Sequence, residues 1–252
     1  MEKRIALISG ATSGIGEATA KILAAAGIDL ILCGRRTEKL DTLKKLLSAQ
    51  VKVETLVFDV RDLNQLQQAW EKLSAPFKQI DILINNAGNA FGLDFIQDGN
   101  VEDWNLMIDT NIKGLLYVSK VVIPQMIENK RGHIINISSI AGKETYPKGN
   151  VYCASKAAVE ALSAGMRLDL NPYGIKVTNI APGAVNTEFS KVRFAGDEQK
   201  AEKVYEGFEP LLAQDIAEAI DFIISRPAHV TIADMVILPT AQAAATMINR
   251  SK

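Results

Sequence analysis

The sequence predicts an α/β fold: one doubly wound parallel sheet of about seven strands with helices on both faces. Three observations carry this prediction. Short apolar runs alternate with longer helical patterns. The runs are nearly unbroken and rich in Val, Ile and Leu, as strands buried on both faces require. Glycine or small polar residues follow several of the runs, which puts a series of turns at one common edge.

The runs lie at residues 5–8, 30–32, 51–58, 82–84, 134–137, 177–180 and 235–238. Between them, residues 15–26, 38–47, 63–73, 101–128, 151–171 and 216–225 carry apolar positions three and four apart, the spacing of one helix face. Gly27 is placed to close the first helix in the left-handed conformation. Thr37 and Asp62 are expected N-caps of the second and third helices. Pro124 is expected to kink the fourth helix near its end, and Pro172 to terminate the fifth. Residues 186–212 are polar and interrupt the alternation, so they read as a small helical lid inserted over one end of the sheet. At 252 residues, the chain is read as one domain, 1–252.

Bulk properties exclude several classes. Apolar residues make up 48%, an ordinary globular value. A net charge of −1 offers no field to draw nucleic acid or an anionic membrane. No run approaches the roughly 18 apolar residues of a membrane span. The start Met1-Glu2-Lys3-Arg4 leads into an apolar run too short for a secretion signal. Cys33 and Cys153 lie far apart without metal-ligand spacing, so no metal site and a reduced, cytoplasmic chain are expected.

The first strand runs into Ser9-Gly10-Ala11-Thr12-Ser13-Gly14-Ile15-Gly16, and a helix follows at once. Glycines allow close backbone approach to a phosphate, and a helix start offers free N–H groups to its oxygens. Alone, such a turn is a weak signal; between a first strand and a helix it reads as a dinucleotide cradle, with Gly10, Thr12, Ser13, Gly14, Ile15 and Gly16 as candidate contacts. The second strand ends in Cys33-Gly34-Arg35-Arg36. An acid near this point would hold a ribose 2′-hydroxyl. Two adjacent guanidinium groups, Arg35 and Arg36, suit a 2′-phosphate instead, which favours NADP over NAD.

Tyr152 and Lys156 stand four apart in a helical pattern and so share a face. A nearby ammonium is expected to lower a tyrosine pKa toward a general acid/base range. By itself the pair fits a solvent-facing stripe equally well. Ser138-Ser139, Asn85-Asn86-Ala87-Gly88 and Pro182-Gly183 each follow a strand at the edge where open parallel sheets bind ligands. These turns lift the pair above chance.

Taken in order, Gly10-x-x-x-Gly14-x-Gly16, Asp59-Val60, Asn85-Asn86-Ala87-Gly88, Asn111, Ser139, Tyr152-x-x-x-Lys156 and Pro182-Gly183 with Thr187 resemble the short-chain dehydrogenase/reductase family over essentially the whole chain. The resemblance implies a Rossmann-type fold, an NADP(H) cofactor and reversible hydride transfer. It implies that Tyr152 is the general base, Ser139 holds the substrate oxygen, Lys156 lowers the tyrosine pKa and binds the nicotinamide ribose, and Asn111 holds a linking water. Asp59 and Val60 would contact adenine, Asn86 would lie near the adenosine side, and Thr187 would hold the nicotinamide carboxamide. Ala87, Gly88, Pro182, Gly183 and Val185 would be further cofactor contacts. The family also implies a homotetramer or homodimer built on the two long helices.

Residues Thr187 to Tyr205, with Val101-Glu102-Asp103-Trp104 and Pro227-Ala228-His229-Val230, resemble a branch that holds NADP-dependent 3-hydroxy acid dehydrogenases, serine-oxidising ones among them. A small hydroxy acid needs a cation in its pocket. Arg193 is the first candidate, and Lys143 and Lys148 are alternatives. A broad-specificity carbonyl reductase is the competing enzyme reading. A non-catalytic NADP-sensing protein would be expected to have lost Ser139, Tyr152 or Lys156. His133, His229, Trp70 and Trp104 read as structural. The apolar tail after Pro239 is expected either to reach a neighbouring subunit or to fray.

Overall fold

The computed structural model describes residues 3–251; Met1 and Glu2, where the expected lead-in begins, and Lys252 lie outside the described residues. Seven strands form one sheet: β1 (Ile5–Ser9), β2 (Asp29–Gly34), β3 (Val53–Val57), β4 (Ile82–Asn85), β5 (Gly132–Ile137), β6 (Ile175–Pro182) and β9 (Asp234–Ile237). A short parallel pair, β7 (Val185–Asn186) with β8 (Leu211–Leu212), stands apart from it. The large sheet runs β3-β2-β1-β4-β5-β6-β9, and every pairing is parallel. The chain winds outward from β1 to β3, then crosses back to β4. The order therefore reverses between β1 and β4, the switch point at which such sheets open a ligand crevice.

Alternate residues of each strand face opposite sides. Ile8, Leu32, Ile84, Ile135 and Ile180 point to one face, where they meet α1 (Gly14–Ala25), α2 (Thr37–Leu47) and α9 (Ala213–Ile224). Leu7, Ile31, Leu83, Ile134 and Val177 point to the other, against α3 (Leu63–Glu71) and α5 (Leu115–Glu128). Burial on both faces holds for the middle strands. The edges depart from that expectation: Val57 on β3 and Val236 on β9 remain 47% and 43% exposed, because an edge strand has a neighbour on one side alone.

Local signals held in part. Gly27 has φ +78, and the Asp62 carboxylate accepts from the N–H groups of Asn64 and Gln65. Pro172 falls in a 3₁₀ turn just past α6 (Asn150–Leu170). Thr37 is not the cap of α2. It is the first helical residue, and Arg36 occupies the cap position with its side chain committed elsewhere. The expected single helix over 101–128 is interrupted by a π turn, Asp109–Gly114, between α4 (Val101–Ile108) and α5. Hydrophobic periodicity does not register one extra residue in a turn. Such turns are frequent at functional sites, and this one contains Asn111.

A polar rung, buried on its three asparagines, crosses the sheet from β4 to β9. Asn85, Asn136 and Asn179 are in register on β4, β5 and β6, with Asp234 of β9 beside them. Asn85 Nδ2 donates to Asn136 Oδ1 at 2.9 Å and to Ser119 Oγ on α5 at 3.0 Å. Asn136 Nδ2 reaches Ser163 Oγ on α6 at 2.9 Å. Buried hydrogen bonds of this kind fix register, since breaking one leaves an unsatisfied polar group. The rung holds α5 and α6 against the turns that start at Asn86 and Ser138.

Candidate active site

A cleft of about 880 Å³ opens along the C-terminal edge of the sheet, and the turns after β1, β2, β4, β5 and β6 all line it. At its floor the glycine-rich turn is shaped for close approach. Gly10 and Gly14 adopt φ +67 and +52, and a Cβ on Gly16 would drive into the Gly10 carbonyl. Asn86 holds this turn: its Nδ2 donates to Ser9 O at 3.0 Å and to Gly10 O at 3.1 Å. Thr12, Ser13 and Ile15 complete the lining, and α1 starts at Gly14 with its N–H groups facing an anion site. The donor set and the steric clearance both fit a dinucleotide pyrophosphate.

At the end of β2 the two arginines diverge. Arg35 is mostly exposed and lies 3.6 Å from Asp59. Arg36 donates from Nε and Nη2 to Thr12 Oγ1, and from Nη2 to Ser13 Oγ. Asp59 is gripped by Arg61 through three side-chain hydrogen bonds, and Arg61 and Arg35 hold its carboxyl below the usual range although burial works the other way. Val60 packs against Gly114 of the π turn. Asp59 and Val60 thus wall this end of the cleft.

At the other end, Ser139, Tyr152 and Lys156 converge. Ser139 follows β5, and its Oγ accepts from Ala141 N–H at 3.1 Å. Tyr152 and Lys156 sit one turn apart on α6, 8% and 5% exposed. Lys156 Nζ donates to Ile137 O at 2.9 Å. Gly88 approaches closely enough that a Cβ there would lie 3.2 Å from both Lys156 Nζ and Asn111 Oδ1. Asn111 itself is tied down: Nδ2 donates to Asn89 O and Ser155 Oγ, and Oδ1 accepts from Asn89 N–H.

Burial dominates the electrostatics of both Tyr152 and Lys156. Burial pushes the Tyr152 phenol up, and nearby Tyr146 adds to this; the Ser139 hydroxyl and the Arg193 guanidinium draw it back. Lys156 sits one helical turn away. Its own charge is disfavoured by burial, which pushes the ammonium down to about 8 against the raising effect of Glu160. Desolvation penalises both charged forms at once.

The segment after β6 closes the cleft. Thr187 caps α7 (Glu188–Arg193) by accepting from Phe189 N–H; α8 (Glu198–Lys203) follows. Thr187 packs 3.2 Å from a Cβ built on Gly14. Arg193 ends α7 beside the tyrosines: Nη1 donates to Tyr146 OH at 3.0 Å and Nε to Gly92 O at 3.1 Å. Its guanidinium lies 5.7 Å from the Tyr152 ring centre. The alternative cations are placed differently. Lys143 is held by Glu160 and Asp234 at 2.8 and 2.6 Å, and Lys148 lies over the exposed Phe95 ring. His133 is buried against Thr178 Oγ1.

Four contributors escaped the sequence reading. Tyr146 and Gly92, partners of Arg193, carry no motif. Phe189, whose ring lies 5.6 Å from that of Tyr152, looks like any helix apolar residue. Gln242 lies in the tail, which packs back against its own chain over the described residues. Its Oε1 accepts from Ala184 N–H at 2.8 Å, Ser251 N–H donates to Gly207 O, and Arg250 hydrogen-bonds Glu206 O. Gly183 leaves room for the Gln242 side chain, so the tail braces the Pro182-Gly183-Ala184 turn.

The family model described as short chain dehydrogenase matches residues 4–198. A sulfoacetaldehyde reductase of Chromohalobacter salexigens is 45% identical over 95% of each chain. An NADP-dependent 3-hydroxy acid dehydrogenase of Salmonella typhi is 45% identical over 98% of this chain and 100% of its own. A solved closed form of serine dehydrogenase complexed with NADP+ superposes with a TM-score of 0.92 at 42% identity, over 98% of this chain and all of that one.

Proposed function

The chain belongs to the short-chain dehydrogenase family, and from that premise we propose that it transfers a hydride between NADP(H) and a small 3-hydroxy acid. NADP would supply the redox chemistry, held by the glycine-rich turn, Arg35 and Arg36 at one end and by Tyr152, Lys156, Pro182, Gly183, Val185 and Thr187 at the other. Both related proteins named for NADP bear on that choice, as does the lack of an acid at the end of β2.

Tyr152 exchanges a proton with the substrate oxygen, and Ser139 Oγ donates a hydrogen bond to that oxygen as its charge develops. A phenol raised by burial stays protonated at neutral pH, which suits it to protonate a carbonyl during reduction. Lys156 would hydrogen-bond the nicotinamide ribose and, when charged, oppose the effect of burial on Tyr152. Asn111 steadies the loop at Asn89 and the helix at Ser155, and orders the approach to Lys156.

The observation that carries the substrate class is Arg193. It is the lid cation that meets the Tyr152 ring, and a guanidinium matches an anionic oxyacid group. The acid group is a carboxylate in this reading; the reductase relative raises a sulfonate as the second reading. Rates with L-serine, 3-hydroxypropionate, 3-hydroxyisobutyrate, 2-hydroxyethanesulfonate, a hydroxy acid methyl ester and secondary alcohols test it. The acid is expected to exceed its ester by about tenfold or more; equal rates would favour a broad-specificity carbonyl reductase.

For assembly we propose a homotetramer or homodimer. The support is apolar surface on the long helices: Val101, Ile108, Leu116 and Leu168 are all exposed. Among the described residues no helix is long and apolar enough to cross a membrane.

A further inference from the structure

Glu188 stands where two cations at the start of α2 meet. Its Oε2 accepts from Arg36 Nη1 at 2.8 Å, and its Oε1 accepts from Lys39 Nζ at 2.8 Å. Each carboxylate oxygen is thus committed to a different cation. Arg36 is the same side chain that braces Thr12 and Ser13 of the glycine-rich turn. A guanidinium carries five N–H groups, and these four contacts leave one for any other anion. Lys39 and Arg36 hold the Glu188 carboxyl down at about 2, so it is ionised throughout the working range.

An acid in the first turn of a helix is ordinarily explained by the helix dipole. That explanation is insufficient here. Thr187 already caps α7, and the Glu188 side chain reaches across to α2 instead.

We propose that Glu188 is a specificity-determining residue that competes with the 2′-phosphate of NADP(H) for Arg36, so that phosphate recognition loosens the start of the lid helix. This inference rests on the NADP reading above. A phosphate dianion placed against Arg36 meets a carboxylate of like charge, and either the ion pair or the phosphate contact gives way. A cofactor with a 2′-hydroxyl leaves the pair intact. The consequence reaches the substrate end because α7 is short: Thr187 abuts Gly14 at its start, and Arg193 ends it against Tyr146. One carboxylate therefore connects the adenosine end of the cleft to the cation proposed for the substrate acid.

The test uses adenosine 2′,5′-bisphosphate and 5′-AMP as probes by titration calorimetry, alongside NADPH and NADH by fluorescence. In Glu188→Gln, which keeps shape and removes charge, the bisphosphate and NADPH are expected to bind about threefold tighter, the scale of an exposed ion pair. 5′-AMP and NADH are expected to be unchanged. Equal changes for both pairs, or weaker bisphosphate binding, would overturn the proposal. Should Glu188→Gln fail to fold, Glu188→Asp is too short to reach both cations and carries the same expected sign. A wild-type protein that binds NADH as well as NADPH would instead refute the NADP reading, a separately visible result.

Discussion

Arg193 Nη1 donates a hydrogen bond to the Tyr146 hydroxyl at 3.0 Å, across 47 residues of sequence. Tyr146 belongs to the loop before α6, and Arg193 to the end of α7. The bond joins the lid to the loop that leads into α6, and it sets the guanidinium over the Tyr152 ring. Arg193→Met is expected to raise KM for a hydroxy acid by about tenfold to a hundredfold, the range of a hydrogen bond to a charged group. The methyl ester is expected to be little affected. Tyr146→Phe removes a neighbour of the cation and should cost about fivefold. Equal losses on acid and ester in steady-state kinetics would reject Arg193 as the acid-binding group.

Tyr152→Phe removes one oxygen from a site packed by Phe189 and Cys153. Turnover is expected to fall by roughly 10²–10⁴-fold, the contribution of a positioned acid/base. NADPH affinity should stay within about twofold, since the ring and its packing remain. A variant that keeps wild-type kcat refutes the assignment.

His133 supplies a pH prediction for stability. Burial pushes its imidazole down to about 3, with Lys176 and Arg4 adding to the effect. The unfolded chain then binds more protons than the folded one between about pH 6.5 and 3. Stability is therefore lost as pH falls through that window, by at most roughly 5 kcal/mol from this one group. Urea unfolding at pH 7, 5.5 and 4 should show a shallower decline in His133→Asn. Parallel declines would mean that the imidazole is accessible to protons in the folded state.

Lys156 acts in the opposite pH range. Its folded value of about 8 lies below the ordinary lysine value of about 10.4. The folded state resists its charge, so the protein gains stability as pH rises from 8 toward 10. The unfolding free energy of wild type should rise relative to Lys156→Met over that interval, by up to about 3 kcal/mol. A constant difference between the two across pH 7.5–10 would show that Lys156 stays charged in the fold.

Gln242 makes the tail a part of the site. Gln242→Ala leaves the Ala184 N–H without its partner and unbraces the Pro182-Gly183-Ala184 turn. NADPH binding is expected to weaken by about five- to tenfold, the scale of an unsatisfied buried donor. Melting temperature should change less than after removal of the whole tail. Unaltered cofactor affinity after that removal would mean that the tail is an appendage.

The fold was legible because parallel strands must be apolar and helices must be amphipathic. The middle strands β1, β4, β5 and β6 could be found for that reason. The π turn at Asp109–Gly114 could not, because one inserted residue leaves the apolar periodicity of the flanking helices intact. The site was legible wherever a turn must clear a ligand or a side chain must sit at a strand end. Gly10, Gly14 and Ser139 fall in that class, and Lys156 was legible through its helical spacing from Tyr152. Tyr146, Gly92, Phe189 and Gln242 do not, since each acts through a neighbour far along the chain.

The sequence by itself determined the alternation, the glycine turn, the two arginines and the spacing of Tyr152 from Lys156, all set by bonds and dihedrals local to the chain. Only the tertiary structure decided what those charges meet. Lys143 and Arg193 look alike as isolated cations. Folding gives Lys143 to Glu160 and Asp234, and Arg193 to Tyr146 and the face of Tyr152. Coulomb energy and desolvation depend on distance and burial, and neither quantity exists until the sheet has brought distant residues together.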